Sequence, residues 1–442
     1  MSKRRGQFGL GLVVAFLGTS VLVGCSGSGD SDSDSDKPGG VISELRSSEP
    51  RVTAGVSEAA PAAAGEQDFA FAFLHALEAD SNVAFSPHSL STAFAMLTDA
   101  ADGQTLQEVE QVMHFPQTDE TFHRSQDALE LGLLARNRDA VQTQEQTVDA
   151  QILTESNDVW IRDDVPPEPS YLDTLARFYG IGVHHADFPA HPEESRVAIN
   201  DKVSTDTHAL IPELIPQGAI DPDTVSVLTN AIYFKAPWAN RFAEPIAGDF
   251  HQLDGTVAST QMLRGGGQLA YFAGDGFVSV AVPYYGGDLE LMLVVPDAGA
   301  YETVRTSLSS AALTQVLGAR QAELVDLTLP KFNVKSSVPA SKTLKALGMN
   351  TPFNPDTAQF PKFASAKYDN VYVSDVLHQA TVAIDEKGTE ASAATAIILA
   401  GTTSAIIDPP TPKVVVVDRP FLFVIRDNPT GSVLFVGQVV TP

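Results

Sequence analysis

Serine, histidine and aspartate are frequent in the sequence, but their spacing matches none of the common hydrolytic motifs. An α/β-hydrolase nucleophile lies in a Gly-x-Ser-x-Gly turn, whereas Ser86 is flanked by Phe85 and Pro87. The His-Glu-x-x-His motif of zinc peptidases does not occur. The adjacent His184 and His185 would point to opposite faces of a strand and could not share a metal ion. We therefore expect a protein that is not an enzyme and that needs no metal and no cofactor.

Two other segments are only superficially like ligand-binding loops. Gly265-Gly266-Gly267 lies between strand-like segments without a following Lys-Ser or Lys-Thr, and it predicts a turn and no phosphate loop. The alternating Asp and Ser residues at 30–36 lack the glycine turn and the closing glutamate of a calcium loop. Neither segment predicts a ligand site.

The most informative segment follows Asp385, where small residues dominate up to Ser404. Neither Pro nor Lys nor Arg occurs between Gly388 and Ile407, so this segment could enter a sheet as a central strand. Residues that a strand would bury on one face are Thr389, Ala391, Ala393, Thr395, Ile397 and Leu399. Composition alone favours the alternative of a helix or a linker. Residues 408–412 (DPPTP) then predict an exposed, extended connector.

The elements that must position this segment predict a mixed α+β domain. Helical spacing of apolar residues occurs first, around residues 69–77, 91–113 (broken at Asp102-Gly103) and 166–179. Strand-like segments follow without βαβ alternation, which favours α+β over a doubly wound fold. These segments are 224–234, 276–283, 289–295, 323–330, 371–384, 414–418, 421–425 and 432–440.

The N-terminus predicts export. Positive residues at 3–5 precede a short apolar stretch at 9–23, as in a secretory signal, and this stretch is too short for a transmembrane helix. It ends in Leu-Val-Gly-Cys, similar to the bacterial lipobox, so we expect acylation of Cys25 and a lipid anchor in the cell envelope, with the outer membrane or cell surface favoured. A plain secretory signal is the alternative. We expect residues 1–24 as signal, 25–65 as a disordered tether and 66–442 as the folded domain.

Composition restricts the partners. The formal net charge of the 442 residues is −27, and such a surface repels nucleic acid and anionic lipid headgroups. We expect no nucleic-acid partner, contact with the membrane only through the anchor, and a monomer. Cys25 is the single cysteine, so the chain cannot form an internal disulfide.

Four segments in compatible order resemble the serpin family over about residues 67–442. Each alone would be weak, but together they point to one fold. They are residues 82–91 (NVAFSPHSLS), 228–238 (LTNAIYFKAPW), 373–380 with 386–395 (VSDVLHQA, EKGTEASAAT), and 418–423 with 431–437 (DRPFLF, GSVLFVG). The resemblance implies an α+β serpin fold of three β-sheets and about nine helices, with an exposed reactive-centre loop near the C-terminus.

The resemblance also implies roles for individual residues. Ser86, Ser89, Asn230 and His378 match a hydrogen-bonded cluster, the shutter, where the main sheet parts. The breach at the top of that sheet is matched by Trp238, Lys331 and Glu386. The hinge of the loop is matched by Glu386, Gly388, Thr389, Glu390, Ala391, Ser392, Ala393, Ala394 and Thr395.

The function implied is inhibition of a serine (alternatively a cysteine) endopeptidase by a suicide-substrate mechanism. The protease cuts the loop and is held as an acyl-enzyme while residues 389–402 insert as a strand of about 46 Å. Family spacing places the cut between Thr402 and Thr403, but the connection to Pro420 is longer than is common. Ala400, Gly401, Thr403, Ser404 and Ile406 therefore stay open as alternatives.

The residues of the loop favour one class of target. Residues 388–407 contain no Lys or Arg, so elastase-like or subtilisin-like proteases are favoured over trypsin-like ones. The main alternative function is a non-inhibitory serpin that acts as a binding or chaperone-like module. A hydrolytic enzyme is a third and weaker alternative.

Overall fold

The structure, a computed structural model, describes residues 41–142, 147–363, 371–389 and 411–442. Within these ranges it contains nine α-helices. They are α1 (Ala60–Ala76), α2 (Pro87–Thr98), α3 (Gly103–Met113), α4 (Glu120–Leu134), α5 (Pro169–Thr174), α6 (Pro192–Asp206), α7 (Tyr301–Ser307), α8 (Ser310–Ala319) and α9 (Ala340–Ala346). A π-helical turn at Leu175–Tyr179 continues α5.

Eighteen strands lie in the same ranges. They are β1 (Ile42–Leu45), β2 (Val83–Phe85), β3 (Val141–Gln142), β4 (Thr147–Val148), β5 (Ile152–Arg162), β6 (Val183–Ala186), β7 (Ser226–Pro237), β8 (Ala243–His251), β9 (Val257–Ala273), β10 (Phe277–Pro283), β11 (Leu289–Pro296), β12 (Gln321–Pro330), β13 (Phe332–Val338), β14 (Asp375–Ile384), β15 (Gly388–Thr389), β16 (Lys413–Val416), β17 (Phe421–Asp427) and β18 (Val433–Val439).

These strands form three sheets. The main sheet has seven strands in the order β1-β6-β5-β7-β15-β14-β13. A nine-stranded sheet contains the path β16-β12-β9-β10-β11-β17-β18-β2, with β8 paired to β9, and β3 and β4 form a small hairpin. Helices and strands are therefore mixed without regular alternation, as predicted.

Strand β7 runs through the centre of the main sheet and is buried along nearly its whole length. One face of β7 presents Ile232 and Phe234 to the core shared with the nine-stranded sheet. The other face presents Val227 and Ala231 to a separate apolar cluster that includes Ile199 of α6. Because both faces are covered, its sequence is a nearly continuous run of apolar and β-branched residues.

The prediction of a turn at Gly265-Gly266-Gly267 is wrong, because all three residues lie within β9. There they pair with Leu327, Asp326 and Val325 of β12, respectively. The φ angle of Gly266 is +147°, and a Cβ on this residue would lie 2.0 Å from the Val325 carbonyl oxygen. Glycine is needed here for the close approach of two strands, a meaning that the sequence pattern does not distinguish from a turn.

Residues 41–65 differ from the predicted disordered tether. Strand β1 pairs antiparallel with β6, and α1 begins at Ala60. Between them, the Arg51 guanidinium is 2.8 Å from the buried carboxylate of Asp127. The ordered part of the chain therefore begins earlier than the predicted boundary at residue 66.

Several strands lie outside the predicted segments, notably β5, β8 and β13. Strand β5 carries Glu155, Asn157 and Asp158, and these polar residues hide the strand pattern in its sequence. No helix in the described ranges is both long and apolar enough to cross a membrane.

Candidate functional site

The candidate site is the cleft between β7 and β14, the two strands that flank β15 in the main sheet. Below β15 the two strands pair directly and in parallel, with Asp375–Gln379 opposite Val227–Ala231. At the upper end, β15 lies between them. The cleft is thus closed in its lower part and occupied at its top by the start of the segment that follows Asp385.

The closed part is held by a buried polar cluster that joins the predicted shutter residues. His378 Nδ1 lies 2.5 Å from Asn230 Oδ1, which links β14 to β7. His378 Nε2 accepts a hydrogen bond from the Ser86 backbone N–H, at 3.0 Å, so the ring is neutral and carries its proton on Nδ1. Burial lowers the pKa of His378 to about 3, although its contact with Asn230 opposes this effect. The histidine therefore acts as an uncharged hydrogen-bond partner.

The beginning of α2 completes this cluster. Ser86 caps the helix by accepting a hydrogen bond from the Ser89 N–H, at 3.1 Å. The Asn230 side-chain amide donates to the Ser89 carbonyl and to Asn157 Oδ1. The structure thus brings Ser86, Ser89, Asn230 and His378 together. It adds Asn157, which sequence reasoning missed because β5 was not recognised as a strand.

At the upper end of the cleft, β15 is held between both neighbours. Gly388 lies opposite Pro237, and Thr389 lies opposite Ala236 on one side and Ile384 on the other. A Cβ at Gly388 would lie 2.2 Å from the Ala236 carbonyl oxygen, so only glycine fits this position without a shift of the backbone.

The side chain of Thr389 is buried in the native sheet. Its exposed fraction is 1%, and its hydroxyl lies 2.6 Å from the Tyr284 hydroxyl. The Tyr284 ring stacks on Trp238, with centroids 4.5 Å apart. Residues 389–402 were predicted to enter the sheet after a cut, whereas the side chain of Thr389 is already buried in the uncut chain. Tyr284 carries no sequence signal that would have identified it.

The turn that leads into β15 is anchored by the region around Trp238. The Trp238 indole donates to the Asp385 carbonyl, and its backbone N–H donates to the Lys387 carbonyl, both at 2.9 Å. Lys331 Nζ lies 3.3 Å from Glu386 Oε2. Burial opposes ionisation of Glu386, but hydrogen bonds and Lys331 outweigh it and lower the pKa of this carboxyl. The turn is therefore surrounded by the three residues predicted to form the breach, Trp238, Lys331 and Glu386.

The remaining predicted residues lie outside the described ranges. They are the hinge residues Glu390, Ala391, Ser392, Ala393, Ala394 and Thr395, the reactive-bond residues Thr402 and Thr403, and Cys25. Among the residues that the structure describes, no group of three or more His, Cys, Asp or Glu side chains could hold a metal ion.

Comparison with known proteins agrees with this geometry. The family model described as "Serpin (serine protease inhibitor)" matches residues 64–442. The chain belongs to the serpin family. The predicted α+β serpin fold is confirmed, and solved serpin structures superpose on it over most of the chain.

Two relatives and two structures illustrate the similarity. An uncharacterised serpin-like protein of Thermococcus kodakarensis is 31% identical over 366 residues, covering 82% of this chain and 81% of that protein. Plasminogen activator inhibitor 1 of Bos taurus is 30% identical over 386 residues, covering 82% and 87%. The native state of a thermophilic serpin, tengpin, has a TM-score of 0.74 at 25% identity, covering 90% and 97%. Thyroxine-binding globulin complexed with thyroxine has a TM-score of 0.73 at 25% identity, covering 86% and 99%.

Among the residues that the structure describes, the shutter serine and histidine are not arranged for covalent catalysis. The serine and histidine of the shutter meet through a backbone N–H, so the Ser86 hydroxyl is not activated by His378. In this serpin the polar groups hold two strands together, and Gly388 and Thr389 already lie between them at the upper end.

Proposed function

We propose that this serpin inhibits an endopeptidase as a suicide substrate, by inserting its cut reactive-centre loop into the cleft between β7 and β14. The observation that carries the proposal is the position of β15. Gly388 and Thr389 already pair with both flanking strands, so insertion needs only to extend an existing strand. Membership of a family that includes plasminogen activator inhibitor 1 supports the same conclusion.

The registers of the three strands support continued insertion. If β15 were extended along both neighbours, Ile398 would lie opposite Val227 on β7 and opposite Asp375 on β14. Val227 and Asp375 already face each other in the closed part of the cleft. The extended strand would therefore fit both registers at once, and it would replace the direct pairs between β7 and β14 with two new sets of pairs.

The side chains also fit an inserted strand. By strand alternation, Ala391 and Ala393 would follow Thr389 on the face that packs against the nine-stranded sheet. Thr395 would lie between Asn230 and His378, so its hydroxyl could replace the hydrogen bond that insertion breaks. Small residues suit these positions because the core beneath them already contains Ile232 and Phe234.

Inhibition follows from the link between loop and protease. The protease attacks the loop and forms an acyl-enzyme through its catalytic nucleophile. Insertion replaces the existing row of backbone hydrogen bonds between β7 and β14 with two rows, and each additional bond contributes about 0.5–1.5 kcal/mol net. Burial of apolar side chains adds to this gain. The bound protease moves with the loop, and a shift of about 1 Å in its active site is enough to slow deacylation strongly.

Gel electrophoresis under denaturing conditions tests this function. The full chain is incubated with subtilisin or an elastase, with trypsin as the control for target class. We expect an SDS-stable complex with the first two proteases, and a rise in the thermal midpoint of the cut serpin. Clean cleavage with neither complex nor stabilisation would contradict the proposal. A complex formed only with trypsin would contradict the target class, which rests on the absence of Lys and Arg from residues 388–407.

The second candidate is a non-inhibitory binding serpin, and the similarity to thyroxine-binding globulin favours it. The same experiment separates the two functions, because a binding protein has no need to trap the protease. Complete cleavage without a covalent complex, at every ratio of protease to serpin, is the result expected of this alternative.

A further inference from the structure

A buried ionic triad lies behind the shutter and includes His88 of α2. His88 Nδ1 is 2.9 Å from Glu66 Oε2 on α1, and Nε2 is 2.9 Å from Glu155 Oε1 on β5. The side chains of His88 and Glu66 are each 1% exposed, and that of Glu155 is 10% exposed. Three ionisable groups therefore meet where solvent is largely absent.

The two contacts define the charge of the histidine. Nδ1 of His88 is hydrogen-bonded to Glu66, and Nε2 is in close ionic contact with Glu155 without the alignment of a hydrogen bond. Two carboxylates within 2.9 Å of the ring favour its protonated form. Burial opposes the charge of His88, but Glu155 and Glu66 outweigh this effect and raise its pKa well above the ordinary value. His88 is thus an imidazolium that neutralises two buried carboxylates.

Charged groups on the other neighbouring elements have partners of their own, although Glu130 also interacts with the triad. Burial and the charge of Glu155 raise the pKa of Glu130 to about 7, against the opposing effects of Arg51 and His88. On α4, Asp127 and Glu130 both pair with Arg51, at 2.8 Å each. On β14, His378 is neutral. The positive charge nearest to Glu66 and Glu155 is therefore that of His88.

A line of hydrogen bonds connects the triad to the cleft. Glu155 Oε2 accepts a hydrogen bond from the Asn157 side-chain amide at 2.7 Å. This contact orients the Asn157 side chain with its NH₂ group toward Glu155. Asn157 Oδ1 then faces the Asn230 amide and accepts its hydrogen bond. Asn230 Oδ1 in turn contacts His378 across the cleft. Each group in this line determines the orientation of the next.

We propose that His88 is a positioning residue that slows the separation of β7 and β14 by keeping Glu155 ionised and Asn157 correctly oriented. The inference rests on the proposed loop insertion. Without the charge of His88, Glu155 would face Glu66 unneutralised and would take up a proton. A protonated carboxyl can donate to Asn157, which would favour the reversed amide and remove the acceptor that holds Asn230.

The test measures the rate of insertion in the full chain. Subtilisin is added at concentrations where cutting of the loop no longer limits the rate, and tryptophan fluorescence follows the cleft through Trp238. We expect His88→Gln to insert at least about tenfold faster than the wild type, a change equivalent to about 1.4 kcal/mol. His123→Gln is the matched control, because His123 is also buried but contacts Tyr179 and is not part of the line.

Two further variants distinguish positioning from packing. His88→Lys keeps a positive charge beside Glu66 and Glu155, so Glu155 should stay ionised and we expect a rate within about threefold of the wild type. Asn157→Ala should by itself accelerate insertion as much as His88→Gln does, and it provides the test if His88→Gln does not fold.

Three outcomes would overturn the inference: an unchanged rate in folded His88→Gln, a rate in folded His88→Lys at least as fast as that in His88→Gln, or an unchanged rate in Asn157→Ala. The proposed function fails in a different way, since the cut wild-type chain would then show neither a fluorescence change nor a higher thermal midpoint.

Discussion

The upper end and the closed part of the cleft hold the same two strands by different chemistry. At the upper end, β15 is fixed mainly by backbone pairing, with one hydroxyl contact from Thr389. In the closed part, β7 and β14 are joined by backbone pairs and by the buried contact of Asn230 with His378. A backbone row can be replaced by an incoming strand residue by residue. A side-chain pair must break before its replacement arrives.

This difference indicates where the barrier to opening lies. The upper end already holds Gly388 and Thr389, so the proposed insertion would extend an existing strand. The shutter retains a polar pair that loses its partners when the strands part, at a cost of about 1–3 kcal/mol for each buried group left unpaired. We therefore expect substitutions at the upper end to change mainly the fraction of molecules that insert the loop. Substitutions at the shutter should change mainly the rate of insertion.

The largest effect is expected from Thr389→Arg. The wild-type side chain is buried against Tyr284, and an unpaired buried charge costs several kcal/mol. The variant should be cut as a substrate, with the fraction of protease recovered as SDS-stable complex at least about tenfold lower. Thr389→Ser, which keeps the hydroxyl, is the control and should still trap the protease. If Thr389→Arg inhibits normally, residue 389 does not enter the sheet.

Asn230→Ala should have the next largest effect and should act in the opposite direction. It removes the group that joins His378 to Asn157, so the closed native state should lose about 1–3 kcal/mol of unfolding free energy. Insertion after cutting should be faster, whereas complex formation should persist. Denaturant unfolding and fluorescence measure the two effects. Asn333→Ala, at an exposed position of β13 in the same sheet, is the matched control. Slower insertion would contradict a holding role for the shutter.

The pH dependence of stability tests the role of His378 in the closed part of the cleft. The pKa of His378 is about 3 in the folded chain and about 6.5 when unfolded. Above pH 6.5 both states are neutral, so the contribution of His378 is complete. Below pH 6.5, His378 binds a proton in the unfolded chain but stays neutral in the folded chain. The free energy of unfolding therefore falls by up to about 1.4 kcal/mol per pH unit until about pH 3.

The contribution of His378 is the difference between the unfolding midpoints of the wild type and His378→Gln, measured between pH 4 and 8. We expect the wild type to lose more stability than the variant as the pH falls. Burial also lowers the pKa of His123, to about 4, so His123→Gln shows how much of the loss comes from a buried histidine outside the cleft. Parallel pH curves for the wild type and His378→Gln would contradict the neutral role of His378.

The sequence allowed the fold and the shutter to be predicted because their residues lie in recognisable segments. Asn230 and His378 stand in segments 228–238 and 373–380, whose resemblance to the serpin family assigned them to the shutter. Asn157 and Glu155 stand in β5, whose polar residues obscure its strand character. Their pairing with Asn230 and His88 depends on a register that spacing along the chain does not reveal.

The upper end shows a second limit of prediction from sequence. The small residues after Gly388 predicted a segment able to enter the sheet, but the pattern is the same whether the segment is outside or partly inside. What decides the position of Thr389 is the space beside Tyr284, a residue far away in the sequence. Whether the segment that begins at Gly388 lies outside the main sheet or partly inside it depends on tertiary packing. The amino-acid composition of the segment does not indicate that packing.

The smallest effect is expected from the ion pair above β15. Lys331 is 43% exposed and Glu386 20% exposed, and exposed pairs of this kind contribute about 0.2–1 kcal/mol. Lys331→Gln should accelerate insertion by less than about fivefold, and the difference should shrink in 1 M salt because exposed charges are screened. Lys335→Gln makes the same charge change at an exposed position of β13 and should leave the rate unchanged. An effect of Lys331→Gln larger than that of Asn230→Ala would reverse the comparison, because it would place the main barrier at the upper end and not at the shutter.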